Sequence, residues 1–256
     1  MKQYALITGA SQGLGKAFAK EISKKKINTI LVSLPDEGLS TFCEELEELY
    51  GVDSICYETD LSIVENVVQL TKWINSEFEV FVLINNAGIG GSKKITEADL
   101  HYIEKMLQLN VVATTILIHQ LLPNLLRQPK AHIYNISSLA AFFPIGSKTV
   151  YPASKAFLDS FSRGLHYELR NTNVFISVVN PGPMRTNGDL VKRTNKGFLG
   201  RLMMKEPEKV AKICIRSLFK RNAVILVNPI SWFLLKFIPA KIKTAIMTNV
   251  AQHELS

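Results

Sequence analysis

Cysteine is scarce in this chain and follows no pattern. Cys43, Cys56 and Cys214 are odd in number and far apart, without the close spacing of a metal site. They resemble the reduced thiols of a cytosolic protein rather than a disulfide framework. We therefore expect no bound metal and a cytoplasmic location.

Long apolar runs, internal repeats and low-complexity segments are also missing. The most apolar stretch, residues 229–239, is much shorter than the roughly 20 residues that cross a bilayer. The N-terminus shows no signal-peptide pattern, because the first apolar strand begins almost at once. With 47% hydrophobic residues among 256, the chain can form one folded domain with a sizeable core.

A glycine-rich turn follows the first apolar strand. Gly9, Gly13 and Gly15 are spaced Gly-x-x-x-Gly-x-Gly between residues 4–8 and a helical pattern. Backbone N–H groups in such a turn can approach a phosphate, which the positive end of the helix also attracts. A glycine-rich connection without a ligand is the alternative, but the order of strand, turn and helix favours a dinucleotide site.

Three later apolar segments also end in polar or small residues. Residues 81–84 lead into Asn-Asn-Ala-Gly at 85–88, residues 132–136 into two serines, and residues 174–179 into Asn-Pro-Gly-Pro at 180–183. Ligands bind at the carboxyl ends of parallel strands, so these ends are candidate site segments. The sequence Asn-Asn-Ala-Gly could also form only a turn.

Tyr151 and Lys155 are four residues apart, which places them on one face of a helix. A tyrosine titrates near pH 10, but a neighbouring ammonium favours its phenolate and lowers the pKa. Such a pair can donate a proton to a developing alkoxide or take one from an alcohol. On its own the spacing is weak, since it also occurs on ordinary solvated helix faces.

Together these motifs resemble those of the short-chain dehydrogenase/reductase family, in the compact subtype of about this length. The resemblance covers roughly residues 3–227 and rests on Thr8-Gly9-x-x-x-Gly13-x-Gly15, Asn85-Asn86-Ala87-Gly88, Asn110, Ser138, Tyr151-x-x-x-Lys155 and Pro181-Gly182. It implies an NAD(P)(H)-dependent enzyme that interconverts a carbonyl and a secondary alcohol.

Four catalytic residues follow from the resemblance. Tyr151 is the general acid for carbonyl reduction, and Lys155 lowers the pKa of Tyr151 and binds the nicotinamide ribose. Ser138 orients the carbonyl oxygen and stabilises the charge that builds there. Asn110 holds a water that links Lys155 to solvent; a satisfied core amide or a helix kink is the alternative for this residue.

The resemblance also implies a set of cofactor contacts. Tyr151 and Lys155 belong to it, and the others are Gly9, Ser11, Gln12, Gly13, Leu14, Gly15, Ser33, Asp60, Leu61, Asn86, Ala87, Gly88, Pro181, Gly182, Met184 and Thr186. NAD-dependent members tend to have Asp at the Ser33 position, and NADP-dependent members have Arg at the next position or a basic residue in the turn. Ser33 does not repel a 2′-phosphate, although Leu34 does not bind one. We expect NADP(H) rather than NAD(H).

The expected fold class is α/β, with a single doubly wound Rossmann-type parallel sheet of about seven strands and helices on both faces. The predicted strands are residues 3–8, 28–33, 53–57, 80–85, 131–137, 174–179 and 223–227, and the long helices are 100–126 and 150–170. Residues 1–228 form the catalytic domain, with a substrate lid at about 187–205 and a tail at 229–256.

The apolar and basic tail allows more than one interpretation. Packing over the substrate pocket or against another subunit is favoured, and peripheral membrane contact through residues 229–247 is the alternative. Family members pair their long helices between subunits, which implies a homodimer or homotetramer. The net charge of +8 comes from dispersed residues, so we expect no nucleic-acid binding and favour an anionic substrate or membrane.

An oxidoreductase is therefore the expected function, and a catalytically weak NAD(P)-binding sensor or scaffold is the alternative. A pure binder has no need of an acid/base set. Epimerisation or dehydration is disfavoured, because relatives with those activities have longer chains. The small-molecule substrate stays open among long-chain 3-oxoacyl thioesters, steroids, small ketones and xenobiotic carbonyls, with the tail favouring a lipophilic or acyl-type ketone.

Overall fold

The computed structural model describes residues 2–184, 205–227 and 239–253. Its strands are β1 Gln3–Thr8, β2 Asn28–Ser33, β3 Ser54–Glu58, β4 Glu79–Asn85, β5 Ala131–Ile136, β6 Val174–Val179 and β7 Val224–Ile225. They form one parallel sheet in the order β3-β2-β1-β4-β5-β6-β7. The predicted doubly wound sheet of seven strands is confirmed, and its strand order reverses between β1 and β4.

The helices connect and cover these strands. They are α1 Gly13–Ser23, α2 Leu39–Tyr50, α3 Val64–Glu77, α4 Leu100–Leu107, α5 Thr114–Arg127, α6 Val150–Glu168, α7 Pro207–Arg216 and α8 Ala240–His253. A π-helical segment, Gln108–Ala113, joins α4 to α5, and a short 3-10 helix, Leu139–Phe142, follows β5.

Some predicted boundaries were wrong by a few residues. The last strand is two residues long rather than the predicted 223–227, because only Val178 and Val179 of β6 pair with it. The helix predicted at 150–170 ends at Glu168, where Leu169 takes a non-helical ψ of 10°. Of the predicted lid at 187–205, residues 187–204 lie outside the described residues, as do residues 229–238 and 254–256 of the predicted tail.

Alternate residues of each strand pack against opposite helical layers. In β1, Ala5 and Ile7 face a core cluster built with α1, α2 and α7. Tyr4 and Leu6 face a second cluster built with α3, α5 and the end of α6. Because successive strand side chains point to opposite faces, the near-continuous apolar strands are explained by burial on both sides.

The stretch Leu100–Arg127 is long and apolar enough to cross a bilayer by length and composition. Its apolar side nevertheless packs into the domain: Leu117, Ile118, Leu121 and Leu125 are at most 2% exposed. They belong to the core cluster that includes strand residues of β4 and β5. The contacts of this stretch are those of a core helix.

Candidate active site

The glycine-rich turn lies between β1 and α1, where the backbone must come close to other chain segments. Gly9 has a φ of 65°, and a Cβ there would lie 3.0 Å from Ala87 Cα. At Gly15 a Cβ would lie only 1.9 Å from the Gly9 carbonyl oxygen. The turn thus presents bare backbone at the N-terminus of α1, the arrangement that accepts a dinucleotide pyrophosphate.

Thr8 connects this turn to the end of β4. Its Oγ1 accepts hydrogen bonds from the backbone N of Asn86 at 3.1 Å and of Ala87 at 3.0 Å. Asn86 Nδ2 donates in return to the carbonyls of Thr8 and Gly9. Thr8 was not among the predicted site residues, although its position directly before Gly9 is a signal that could have identified it.

Two of the residues expected to contact the cofactor, Ser33 and Ser11, form hydrogen bonds with other residues of the chain. The Ser33 hydroxyl is buried and donates to the Leu34 carbonyl at 2.9 Å. Ser11 donates to the Glu37 carboxylate, a partner that the sequence gave no reason to expect. Gln12 is the N-cap of α1 with extended backbone, and its side chain makes no capping bond. Glu37 therefore brings negative charge to the glycine-rich turn.

Asp60 and Leu61 follow β3, as the adenine-contacting pair should. Asp60 Oδ1 accepts from the backbone N of Ser62 at 2.8 Å and from its hydroxyl at 2.7 Å. Burial acts to raise the pKa of Asp60, but these bonds and nearby Lys105 leave it below its ordinary value. Asp60 is therefore a carboxylate at neutral pH, and buried Leu61 offers an apolar surface beside it.

Tyr151 and Ser138 meet across the sheet edge, from α6 and from the end of β5. Burial raises the pKa of the Tyr151 phenol, and its hydrogen bond with the Ser138 side chain acts in the opposite direction. The net direction is upward, so the lowering predicted from Lys155 was wrong for this structure. Lys155 Nζ lies 6.0 Å from the Tyr151 ring centroid, and Lys148 Nζ lies 5.4 Å from it.

Lys155 extends under the carboxyl end of β5. Its Nζ donates to the Ile136 carbonyl at 2.9 Å, and Ser137 Oγ donates to the Lys155 carbonyl at 2.7 Å. Burial lowers the pKa of Lys155 to about 8. A Cβ on Gly88 would lie 3.3 Å from Lys155 Nζ. This glycine therefore leaves open a space between the nucleotide turn and the acid/base residues.

Asn110 lies in the π-helical segment, which the helical pattern of the sequence did not predict. Its Oδ1 accepts from Ile89 N, and its Nδ2 donates to Ile89 O, both at 2.9 Å. The same Nδ2 donates to Ser154 Oγ at 3.0 Å. Asn110 thus ties the loop after β4 to α6, and its expected role in a water relay stays a prediction.

The segment after β6 passes beside these residues. The Pro181 carbonyl accepts from Leu139 N at 2.9 Å, which places Pro181 and Gly182 next to the Ser138 turn. Met184 forms a single parallel bridge with Lys205 and packs against the core. Thr186 lies outside the described residues. The structure therefore places Pro181 and Gly182 at the expected end of the sheet.

Comparison with known proteins agrees with this geometry. The very-long-chain 3-oxoacyl-CoA reductase of Anas platyrhynchos is 36% identical over 182 residues, which are 70% of this chain and 58% of that protein. An "inactive hydroxysteroid dehydrogenase-like protein 1" of Danio rerio is 33% identical over 70% of this chain and 57% of its own length. The chain thus spans less than two thirds of the length of these relatives.

Solved structures show the same fold, and a family model matches most of the chain. A 7beta-hydroxysteroid dehydrogenase superposes with a TM-score of 0.87 at 21% identity, covering 96% of both chains. The family model described as short chain dehydrogenase matches residues 3–197, which include every catalytic residue that the motifs predicted. The chain therefore belongs to the short-chain dehydrogenase family.

Proposed function

We propose that this protein is an NAD(P)(H)-dependent oxidoreductase that interconverts a carbonyl and a secondary alcohol, working mainly as a reductase. The feature that supports this most directly is the Tyr151 phenol, which lies near the Ser138 side chain and one helical turn before the buried ammonium of Lys155. A phenol whose pKa is raised by burial keeps its proton at neutral pH, which suits a general acid for carbonyl reduction.

Each residue of the set then has a role that its contacts allow. A bound nicotinamide cofactor would supply the hydride. Tyr151 donates the proton, and Ser138 holds the carbonyl oxygen beside that proton. Lys155 provides positive charge next to the developing alkoxide, and Asn110 ties the loop after β4 to the Tyr151 helix.

The glycine-rich turn supports the proposal that the protein binds NAD(P)(H). Gly9, Gly13 and Gly15 expose backbone at the N-terminus of α1, and Asn86 braces that turn from β4. Any side chain at Gly15 would enter the turn and displace the Gly9 carbonyl. These features fit the pyrophosphate of NAD(P)(H), with Asp60 and Leu61 towards the adenine.

We propose NADP(H) in preference to NAD(H), because β2 ends in the neutral Ser33 rather than in an acid. Glu37 opposes this preference, since its carboxylate lies against Ser11 in the nucleotide turn. Glu37→Gln should therefore tighten NADPH binding several-fold and change NADH binding little. Equal effects on both nucleotides would contradict the proposed position of the 2′-phosphate.

A lipophilic or acyl-type ketone is the proposed substrate class. The support is the similarity to a reductase of very-long-chain 3-oxoacyl-CoA and the apolar residues around the segment that joins Ser138 to Tyr151. Ala140 and Phe142 are partly exposed there. A small hydrophilic ketone would gain little from such a surface.

We propose a cytoplasmic homodimer or homotetramer. The side chains of Leu100 and Leu107 on α4 and of Phe157 on α6 are at least 40% exposed, and an oligomer interface would cover them. Light scattering during gel filtration tests this assembly. Peripheral membrane contact through residues 229–247 is the alternative, and it fails if the protein ignores anionic vesicles at low salt.

Fluorescence titration with NADPH and NADH, followed by a carbonyl panel, tests the function. The proposal requires saturable binding of at least one nucleotide and its oxidation by at least one ketone. Binding without turnover would instead support the sensor or scaffold alternative. That alternative draws its support from the Danio rerio relative whose name describes it as inactive. Binding of neither nucleotide would overturn both.

A further inference from the structure

The C-terminal helix α8 packs against residues 139–149, the segment that joins Ser138 to the start of α6. Thr248 Oγ1 accepts a hydrogen bond from the backbone N of Gly146 at 2.8 Å. A Cβ on Gly146 would lie 2.6 Å from Thr248 Cγ2. The helix therefore meets the segment at a close contact that a larger residue at 146 would disrupt.

Apolar packing extends this contact along the helix. Phe143, Ile145 and Ala251 are buried together, at 6%, 6% and 4% exposure. Met247, one residue before Thr248, packs against the same cluster with Phe142. The partly buried hydrogen bond thus lies at the edge of a small apolar core between α8 and the segment.

The segment contains a backbone conformation that needs external support. Ser147, directly after Gly146, has a φ of 61°, in the left-handed region that serine seldom adopts. Such residues persist where surrounding contacts hold them. Ser138 stands at one end of the segment, where its Oγ accepts from Ala140 N at 3.1 Å, and Tyr151 lies just beyond the other end.

We propose that α8 is part of the active site and that Thr248 is a positioning residue for the Ser138–Tyr151 pair. By holding Gly146, Thr248 fixes the segment between the two side chains and so keeps them in position relative to each other. The inference rests on the proposed oxidoreductase function, which supplies the reaction that this geometry serves. It concerns turnover rather than the nucleotide, since the contact lies away from the glycine-rich turn.

Thr248→Val tests the inference, because valine keeps the shape of threonine and loses the hydroxyl acceptor. We expect the Gly146 amide to exchange its hydrogen about tenfold faster, as for a locally opened segment. We expect kcat for carbonyl reduction to fall about five- to tenfold with nucleotide Kd unchanged. The alkaline limb of the pH profile should also move, because the Ser138 side chain lowers the pKa of Tyr151 against the effect of burial.

Two further variants provide the controls. Thr248→Ser keeps the acceptor and should restore the wild-type exchange rate, kcat and pH profile. Thr244→Val makes the same chemical change one turn earlier in α8 and should leave all three unchanged. If Thr248→Val does not fold, Gly146→Ala disrupts the same contact from the segment side and should give the same kinetic pattern.

The possible results separate this inference from the proposed function. Unchanged kcat and pH profile in Thr248→Val would overturn the positioning role, whether or not exchange at Gly146 becomes faster. Equal losses in Thr248→Val and Thr244→Val would overturn it as well, since the effect would then be a general one on α8. A wild-type protein without turnover on any carbonyl would overturn the proposed function and the inference together.

Discussion

Lys155 Nζ donates to the backbone carbonyl of Ile136 at 2.9 Å, from a position that is 5% exposed. This bond joins α6 to the carboxyl end of β5 and holds a cation in the interior. Burial of the ammonium is unfavourable and lowers the pKa of Lys155 to about 8. The protein therefore carries a charge at its proposed active site that stability alone would not favour.

Replacing this lysine should separate stability from activity. Lys155→Met should stabilise the protein at pH 7 by about 1–2 kcal/mol, since it removes a desolvation cost but leaves the Ile136 carbonyl unpaired. It should abolish turnover. In the wild-type protein, the contribution of Lys155 to the free energy of unfolding is least favourable below pH 8. It becomes more favourable as the pH rises from about 8, the folded pKa, to 10.5, the unfolded pKa.

Urea unfolding at pH 7 and pH 10 measures this effect. The stability gain of Lys155→Met over wild type should shrink at pH 10, while exposed Lys25→Met should change little at either pH. A variant that is less stable than wild type at pH 7 would show that the ammonium is net stabilising.

Tyr151→Phe removes the proposed proton donor and keeps the ring. We expect kcat for carbonyl reduction to fall by about a thousandfold, within the range for general acid catalysis, with nucleotide Kd within about twofold of wild type. Stopped-flow kinetics and fluorescence titration measure the two quantities. Tyr167→Phe is the matched control, because Tyr167 lies on the same helix and is 67% exposed. Loss of nucleotide binding in Tyr151→Phe would mean that its assigned role is wrong.

Gly15→Ala should damage the nucleotide turn. The new Cβ would lie 1.9 Å from the Gly9 carbonyl oxygen and 2.7 Å from Asn86 Nδ2. The turn must move to accept it, so we expect nucleotide affinity to fall more than about tenfold and the protein to lose about 1–3 kcal/mol of stability. Titration and thermal unfolding measure these effects.

Gly164→Ala gives the opposite expectation for the same substitution. Gly164 is a helical glycine in α6, and no heavy atom of the neighbouring described segments lies within 4 Å of the position that its Cβ would take. Alanine there should stabilise the protein by about 0.5–1 kcal/mol and leave nucleotide binding unchanged. Similar losses of nucleotide affinity in both variants would contradict the assignment of Gly15 to the turn that binds the cofactor.

His132 should make the protein sensitive to acid. Phe219 N donates to His132 Nδ1 at 2.9 Å, and Nε2 lies 2.9 Å from Ser177 Oγ. Burial, with a smaller contribution from His166, lowers the pKa of His132 to about 3. Because the folded pKa of His132 lies below its unfolded value of 6.5, the stability that neutral His132 contributes is lost as the pH falls from 6.5 towards 3. The loss is up to about 1.4 kcal/mol per pH unit.

His132→Asn keeps an acceptor near Nδ1 and removes the titrating group. Its melting temperature should be lower than that of wild type at pH 7 and should depend less on pH between 6.5 and 4. The exposed His119→Asn should follow the wild-type curve. An unchanged pH dependence in His132→Asn would exclude this residue as the source of acid sensitivity.

The sequence was sufficient to predict the sheet, and it was the source of the candidate site residues, whose roles stay predictions. Apolar strands that end in glycine, asparagine or serine mark the carboxyl edge of a parallel sheet, and Tyr151 and Lys155 require only helical spacing. The upward pKa shift of Tyr151 could not be predicted, because it depends on burial by distant segments. The Thr248–Gly146 contact joins residues 102 positions apart, and no local pattern encodes it.

The π-helical segment and the Ser11–Glu37 contact were missed for different reasons. Residues 108–113 have ordinary helical composition, and the bonds that Asn110 makes from this segment to Ile89 and Ser154 are tertiary contacts that no helical period encodes. The position of Glu37 depends on left-handed backbone at Asp36 and Gly38, with φ of 62° and 69°. A strand or helix period does not describe such a loop.

The reversal of strand order between β1 and β4 also has a consequence for biosynthesis. As the chain leaves the ribosome, the first four strands can assemble while one edge of β4 still lacks its partner β5, whose first residue comes 46 positions after the end of β4. That edge presents unpaired backbone N–H and C=O groups between apolar side chains, and it is open to pairing with other chains until β5 is made. A chain cut between these strands should aggregate rather than fold as a nucleotide-binding half, so production of this protein depends on uninterrupted translation through residue 136.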